Sequence, residues 1–237
     1  MSTEHATLEQ GDDRSTLRFE RHLHHGVERV WRAVTEPDEL AAWFPAAVIY
    51  EPVVGAPMQF DFGGMHGQDV WPGEVLEWDP PRAFAFRWGT DDLRFVLEPS
   101  GESTILVFTH TFRHEPGKPA RDAAGWESCL DELHQHLEGG ETVGRGGTTW
   151  AEHHVDYLAR FGDLTVGDRR VRLQGPPREV DGGTGIDVTI GDADEPGLLV
   201  VADELRDGAP VELRSGSVDA PGAVVASGTL HDPLARG

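Results

Sequence analysis

The feature that most constrains the fold of this chain is a change in the spacing of its apolar residues. Between about residues 47 and 112 apolar and polar residues alternate, as in β-strands with one buried face. The joints of these runs, at Pro80-Pro81, Asp91-Asp92 and Ser100-Gly101, have turn chemistry, and short turns join antiparallel strands. From residue 123 the spacing becomes helical. The pattern therefore predicts an antiparallel sheet followed by one long amphipathic helix.

The helical segment, residues 123–140, has one apolar side and one polar side. The apolar residues recur at i, i+3, i+4, i+7 and i+11, and they are Trp126, Cys129, Leu130, Leu133 and Leu137. The polar side is predicted to carry Glu127, Asp131, Gln135 and Glu138. Because Cys129, the single cysteine, lies on the apolar side, we interpret it as a buried packing residue, and no intrachain disulfide can form.

The strand pattern also predicts which face of the sheet the helix covers. Residues of equal parity share a face, and one face collects the large apolar side chains, among them Met58, Phe60, Phe62, Phe84, Phe86, Trp88, Leu93, Phe95, Leu97, Leu106, Phe108 and Phe112. His110 has the same parity. With a first strand over residues 16–23 and two short helices before residue 45, the fold class is predicted to be α+β. We expect a helix-grip fold, a curved antiparallel sheet of about seven strands around a long helix.

Three segments are predicted along the chain. Residues 1–15 form a polar lead-in and residues 16–160 form the helix-grip domain, which ends with a helix that carries His154 on its apolar side. Residues 161–237 consist of short valine-rich runs broken by glycine and proline, without a helical stripe, and are predicted to be a small all-β extension.

The charge of the chain excludes several classes of partner. It has 42 acidic and 20 basic residues, a net charge of −22. Such a surface repels nucleic acid and anionic lipid, and no basic stripe opposes this. No apolar run approaches the length of a membrane span, and the N-terminus lacks a signal pattern. We therefore expect a cytoplasmic protein that binds neither nucleic acid nor membranes.

Four segments, in order, resemble one known superfamily. They are VERVWRAVTEPDELAAWF (27–44), GEVLEWDPPRAFAFRW (73–88), LRFVLEPSGESTILVFTHTF (93–112) and AAGWESCLDELHQHLEG (123–139). They are similar to the START-like (SRPBCC, birch-pollen-allergen fold) superfamily, and most to its bacterial branch named after the activator of the heat-shock-protein-90 ATPase. The resemblance implies a hydrophobic cavity between the sheet and the long helix, and no cofactor.

The implied cavity would take a small apolar or aromatic molecule. Its predicted lining consists of Met58, Phe60, Phe62, Trp88, Phe95, Phe108, His110, Trp126 and Leu130. The glycine-rich loop GGMHGQD (63–69), which contains His66, is the predicted mouth. No metal site is predicted, since His134 and His136, two residues apart, diverge around a helix.

Three functions remain open on the sequence. The first is binding of a small hydrophobic or aromatic molecule. The second is an aromatase/cyclase-like or lyase-like enzyme on the same scaffold, in which His110 with Glu74 or Asp61 transfers protons on a bound substrate. The third, which the family name suggests, is a chaperone-associated interaction protein. Since one fold serves unrelated tasks, the site has to discriminate between them.

Overall fold

The computed structural model describes residues 5–63, 70–139, 148–174, 177–190 and 197–235. The chain forms two compact units, residues 1–113 with 125–151, and residues 114–124 with 152–237. The predicted domain boundary at residue 160 differs from this division. The second unit gains residues 114–124 because they pack against its strands: a Cβ atom on Gly117 would lie 2.2 Å from a side-chain carbon of Leu164.

The first unit is built around an eight-stranded antiparallel sheet. Its strands are β1 (Thr7–Gln10), β2 (Arg14–Leu23), β3 (Ala47–Tyr50), β4 (Pro57–Asp61), β5 (Val70–Asp79), β6 (Ala83–Trp88), β7 (Asp91–Ser100) and β8 (Ser103–Arg113), and their spatial order is β1-β2-β8-β7-β6-β5-β4-β3. The helices of the chain are α1 (Val27–Thr35), α2 (Pro37–Leu40), α3 (Lys118–Leu137) and α4 (Thr148–Phe161). The predicted order, a strand, two helices, six strands and a long helix, is confirmed.

Two boundaries differ from the sequence prediction. The polar lead-in contains β1, which pairs with β2 in a register that sets Leu8 opposite Leu17. The sheet therefore has eight strands instead of about seven. The long helix begins at Lys118, five residues before the predicted start. Pro119 lies in its first turn, where a residue without an N–H group costs nothing because the first N–H groups of a helix have no intrahelical partner.

The strand pairing confirms the predicted buried face. On β8, the strand at the centre of the site, Leu106, Phe108 and Phe112 are fully buried. Phe108 lies between its two register partners, Phe19 of β2 and Phe95 of β7, both buried. Aromatic side chains from successive strands therefore lie side by side on one concave surface.

The second unit contains a seven-stranded antiparallel sheet. Its strands are β9 (Leu164–Val166), β10 (Arg169–Leu173), β11 (Arg178–Val180), β12 (Gly183–Ile190), β13 (Leu198–Ala202), β14 (Pro210–Ser217) and β15 (Ala220–His231). The spatial order of these strands is β10-β9-β15-β14-β13-β12-β11. A further pairing of β10 with β12 closes six of them into a barrel, and mainly valine, leucine and isoleucine fill its core. Residues 152–161 of α4 also belong to this unit, in addition to the predicted extension over residues 161–237.

The helices in the described part of the chain do not meet the requirements for spanning a membrane. None of the helices there is both long enough and apolar enough to cross a bilayer.

A buried histidine in the second unit links its stability to pH. His154 on α4 is 2% exposed, as its place on the apolar side of the helix predicts. Desolvation, and then the charges of Arg172 and Arg121, lower the pKa of His154 from 6.5 to about 4. Between these values the unfolded chain binds a proton at this imidazole and the folded chain does not. Acidification through this range therefore favours unfolding.

We expect His154→Gln to reduce the acid sensitivity of the second unit. The lowered pKa corresponds to roughly 3 kcal/mol of folding free energy lost between about pH 6.5 and pH 4, and the variant lacks this loss. Urea unfolding of both proteins at the two ends of this range measures it. His22→Gln, at an exposed position, is the control. Equal acid sensitivity of His154→Gln and the unmodified protein would contradict the prediction.

Candidate functional site on the concave face of the sheet

The nine predicted lining residues all lie in the first unit, on the concave face and on the helix that covers it. β4 carries Met58 and Phe60, with Phe62 one residue beyond its end; β6 carries Trp88, β7 Phe95, β8 Phe108 and His110, and α3 Trp126 and Leu130. Eight of the nine are buried, and Trp88 is partly exposed. Their common function as a ligand site stays a prediction.

The aromatic rings of this set contact one another in a continuous layer. The ring centroids of Phe95 and Phe108 are 4.7 Å apart, and those of Phe108 and Trp126 are also 4.7 Å apart. Trp88 stacks on Phe60 at 5.0 Å and on Phe62 at 5.3 Å. At these separations the rings are in van der Waals contact. The part of the interior around Phe95, Phe108 and Trp126 is therefore filled by side chains.

Phe44 is a central residue that the sequence prediction left out of the site. Its ring centroid lies 5.7 Å from Trp126, 5.9 Å from Trp88, 6.0 Å from Phe86 and 6.1 Å from Phe60. It follows α2 in a turn closed by its own amide, which donates to the carbonyl of Leu40. In the sequence, Leu40, Trp43 and Phe44 give this segment an apolar side, but the spacing does not indicate which rings that side meets. Phe44 occupies the middle of the predicted cavity.

His110 takes part in a buried hydrogen-bonded array. The indole Nε1–H of Trp126 donates to His110 Nδ1 over 3.1 Å, and His110 Nε2 lies 3.0 Å from Asp91 Oδ2. An indole nitrogen can only donate, so Nδ1 must carry the lone pair and Nε2 the hydrogen. The neutral imidazole of His110 then donates its Nε2–H to the carboxylate of Asp91. The array ties the first residue of β7 to β8 and to α3.

This array bears on the proton-transfer hypothesis. A general base needs a lone pair directed at a substrate, and in His110 the lone pair of Nδ1 accepts from Trp126. The two carboxylates predicted as its partners lie elsewhere. Glu74 is half exposed, and its Oε2 lies 3.8 Å from Arg87 Nη1. Asp61 Oδ1 accepts a hydrogen bond from the amide of Gly63 at the exposed end of β4. In this arrangement His110 orients the Trp126 ring.

Asp91 was not a candidate in the sequence, where Asp91-Asp92 has the composition of a turn. The structure places the turn at Gly89-Thr90, two residues earlier, so that Asp91 begins β7 and points inward with 15% of its side chain exposed. The strand keeps the predicted parity, so that Asp91 shares the face of Leu93 and Phe95. The alternation Asp91, Leu93, Phe95 is the signal that assigns Asp91 to the concave face.

A buried ion pair lies under α3. Arg21 of β2 has the parity of Phe19 and Leu23, and its guanidinium pairs with the carboxylate of Glu127, whose side chain is fully buried. The prediction that Glu127 lies on the polar side of the helix is wrong. The helical spacing placed Glu127 only one position from Trp126, at the border of the two sides, and an inward arginine on the sheet supplies the charge that makes its burial tolerable.

Two tryptophans lie on this face where β5 begins and β6 ends. Trp88 is partly exposed, and Trp71, the residue after the start of β5, is the register partner of Phe60 and shares its face. Trp71 Nε1 is shielded from solvent, and in the described ranges no hydrogen-bond acceptor lies near it. The loop between β4 and β5, including His66, lies outside the described residues.

The fold and this site define a class of protein. A curved antiparallel sheet that wraps around a long helix, with an aromatic concave face beneath that helix, is the START-like helix-grip domain. Residues 24–138 match the model of the family described as "Activator of Hsp90 ATPase homolog 1-like protein". This part of the chain is therefore similar to that family, whose model covers just under half of the chain.

Solved structures show the same fold. A conserved protein of unknown function from Enterococcus faecalis is 23% identical, with a TM-score of 0.54 over 65% of this chain and 89% of that chain. CalU16 from Micromonospora echinospora is 19% identical, with a TM-score of 0.53 over 65% of this chain and 95% of that one. The Bordetella parapertussis protein encoded by BPP1335 is 26% identical, with a TM-score of 0.53 over 68% and 93%. Comparison with curated proteins gives no significant match.

Proposed function

We propose that the START-like domain binds a small apolar or aromatic molecule at the end of its concave face that carries Trp71 and Trp88. The proposal is based on the partial exposure of the Trp88 ring and on the N–H group of Trp71, which is unpaired among the described residues. Most large aromatic side chains of this face are buried and contact one another. Trp88 instead keeps part of its ring exposed, and Trp71 has a shielded N–H group without an acceptor in the described structure.

The register of the strands brings these two indoles close together. Trp88 of β6 is opposite Gly73 of β5, and Trp71 is two residues before Gly73 on the same face. Such diagonal neighbours are about 7–8 Å apart. Gly73 leaves room for the ring of Phe60, because a Cβ atom there would lie 2.5 Å from Phe60 Cε2. The two indoles and Phe60 thus form an apolar surface on which the Trp71 N–H is a hydrogen-bond donor without a partner in the described structure.

This surface suits a flat molecule that carries one acceptor. An aromatic ring would stack beside Trp88, and a carbonyl or hydroxyl oxygen would accept the Trp71 N–H. Since Trp126 contacts both Phe44 and Phe108 deeper in the domain, the ligand occupies the end next to Trp71 and Trp88, and deeper entry requires the Phe44 ring to move. Flavonoids and aromatic polyketides meet this description.

A titration with the flavonoid naringenin tests the proposal. A ligand that binds only the native state raises the free energy of unfolding by about 2.7 kcal/mol at a hundredfold excess over its Kd. We expect a rise in the melting temperature of the unmodified protein. Trp71→Phe, which removes one neutral hydrogen bond of about 1 kcal/mol, should weaken naringenin about fivefold.

The matched control is Trp78→Phe, since Trp78 contacts Trp31, Tyr50 and Phe84 and is outside the predicted lining. It should bind naringenin as the unmodified protein does. Absence of stabilisation by naringenin and by a panel of fatty acids, sterols and aromatic polyketides would show that the concave face is only a packed core. Equal weakening by both variants would place the ligand elsewhere.

A further inference from the structure

A separate cavity lies within the second unit, between α4 and β10. Its volume is about 440 Å³, within the range of roughly 300–1,000 Å³ that small-molecule pockets occupy. On the helix side it is lined by Val155, Leu158 and Ala159, and on the strand side by Arg170 and Arg172.

The helix side of this cavity is apolar and accessible. Half of Val155 is exposed, although valine is usually buried, and Ala159, one turn further along α4, is exposed as well. The helix ends at Gly162, which has a φ of +90° and lies so close to Pro233 that a Cβ atom would be 2.5 Å from its ring. This turn places Asp163 at the end of the cavity.

The strand side is positively charged in a strongly acidic chain. Arg170 and Arg172 are two residues apart on β10, so both point to the same side of the strand. Arg170 is 75% exposed and pairs with Asp163 over 3.1 Å. Arg172 is one of the two cations that lower the pKa of the neighbouring His154. Guanidinium groups next to an apolar surface are the arrangement that binds carboxylates with apolar bodies.

We propose that the cavity between α4 and β10 binds a small organic carboxylate with a compact aromatic or aliphatic body. The carboxylate pairs with Arg170 and Arg172, and the body lies on Val155, Leu158 and Ala159. Asp163 competes with the ligand for Arg170, so binding exchanges one carboxylate partner for another. This site lies in a different unit from the proposed naringenin site and does not depend on it.

The test uses the full chain labelled with nitrogen-15 and benzoate as the probe, at constant ionic strength. We expect saturable amide shifts confined to residues 155–163 and 169–173. Benzamide, which is neutral and of the same shape, should bind more weakly. Arg170→Ala should weaken benzoate about threefold, as for an exposed ion pair, and Asp163→Asn should strengthen it by a similar factor. Ala159→Glu should abolish binding.

Two matched variants separate the site from general charge effects. Arg169→Ala removes the neighbouring arginine, which does not line the cavity, and Ala151→Glu adds a carboxylate at an exposed position on the same helix. Both should bind benzoate unchanged. Unsaturable shifts, equal binding of benzamide and benzoate, or equal effects of Arg169→Ala and Arg170→Ala would each overturn the proposal.

Discussion

Trp126→Ala is expected to lower the free energy of unfolding of the first unit by about 3–5 kcal/mol, the usual cost of deleting a large buried ring. Trp126 is 6% exposed and contacts Phe44, Trp88 and Phe108. Its removal leaves a cavity at the contact of α3 with the sheet and takes away the donor to His110 Nδ1. Denaturant unfolding followed by near-ultraviolet circular dichroism measures the loss.

Trp126→Phe separates the two contributions of this side chain. Phenylalanine keeps an aromatic ring but removes the N–H group and part of the indole, so that a buried acceptor on His110 loses its donor at a cost of about 1–3 kcal/mol. The variant should therefore fall between Trp126→Ala and the unmodified protein. A loss below about 1 kcal/mol for Trp126→Ala, far less than a buried ring requires, would contradict the position of the helix.

Glu127→Ala is expected to cost a similar amount, about 3–5 kcal/mol, for an electrostatic reason. The substitution takes away the buried carboxylate that faces Arg21, and a buried charge without its partner is strongly destabilising. The same unfolding experiment measures the loss. The exposed pair of Arg94 and Glu77 provides the control, because Glu77→Ala at this surface position should cost less than about 1 kcal/mol.

A double substitution tests whether the charge itself is responsible. Arg21→Leu combined with Glu127→Leu removes both charges and keeps apolar volume, and such replacements of buried pairs are often neutral. We expect the double variant to be more stable than Glu127→Ala. If the two are equally unstable, Glu127 contributes through packing rather than through its charge.

Much of the fold follows from periodicity along the chain. Alternation in β8 assigned Leu106, Phe108, His110 and Phe112 to one face, and the structure buries all four. The helical spacing of Trp126, Leu130 and Leu133 assigned α3 as the cover of that face. These assignments succeed because side-chain direction in a strand or a helix is a local property, determined by the backbone repeat.

The predicted partners of the polar groups did not follow in the same way. His110 pairs with Asp91 and Trp126 instead of Glu74 or Asp61, because β7 begins at Asp91, a residue predicted from the sequence to lie in a turn. Periodicity states that a side chain points inward, but it does not state which side chain of a distant strand meets it.

By itself, the sequence determined the class of this protein, its order of elements, its aromatic concave face and the likeness of residues 24–138 to a known family. Only the tertiary structure decided that Phe44 occupies the centre of that face, that Glu127 is buried against Arg21, and that residues 114–124 join the second unit. The physical reason is the sequence distance over which each kind of interaction acts. Backbone repeats act over a few neighbouring residues, whereas these contacts join positions about 40 to 100 residues apart, where packing volume and charge compensation select the partner.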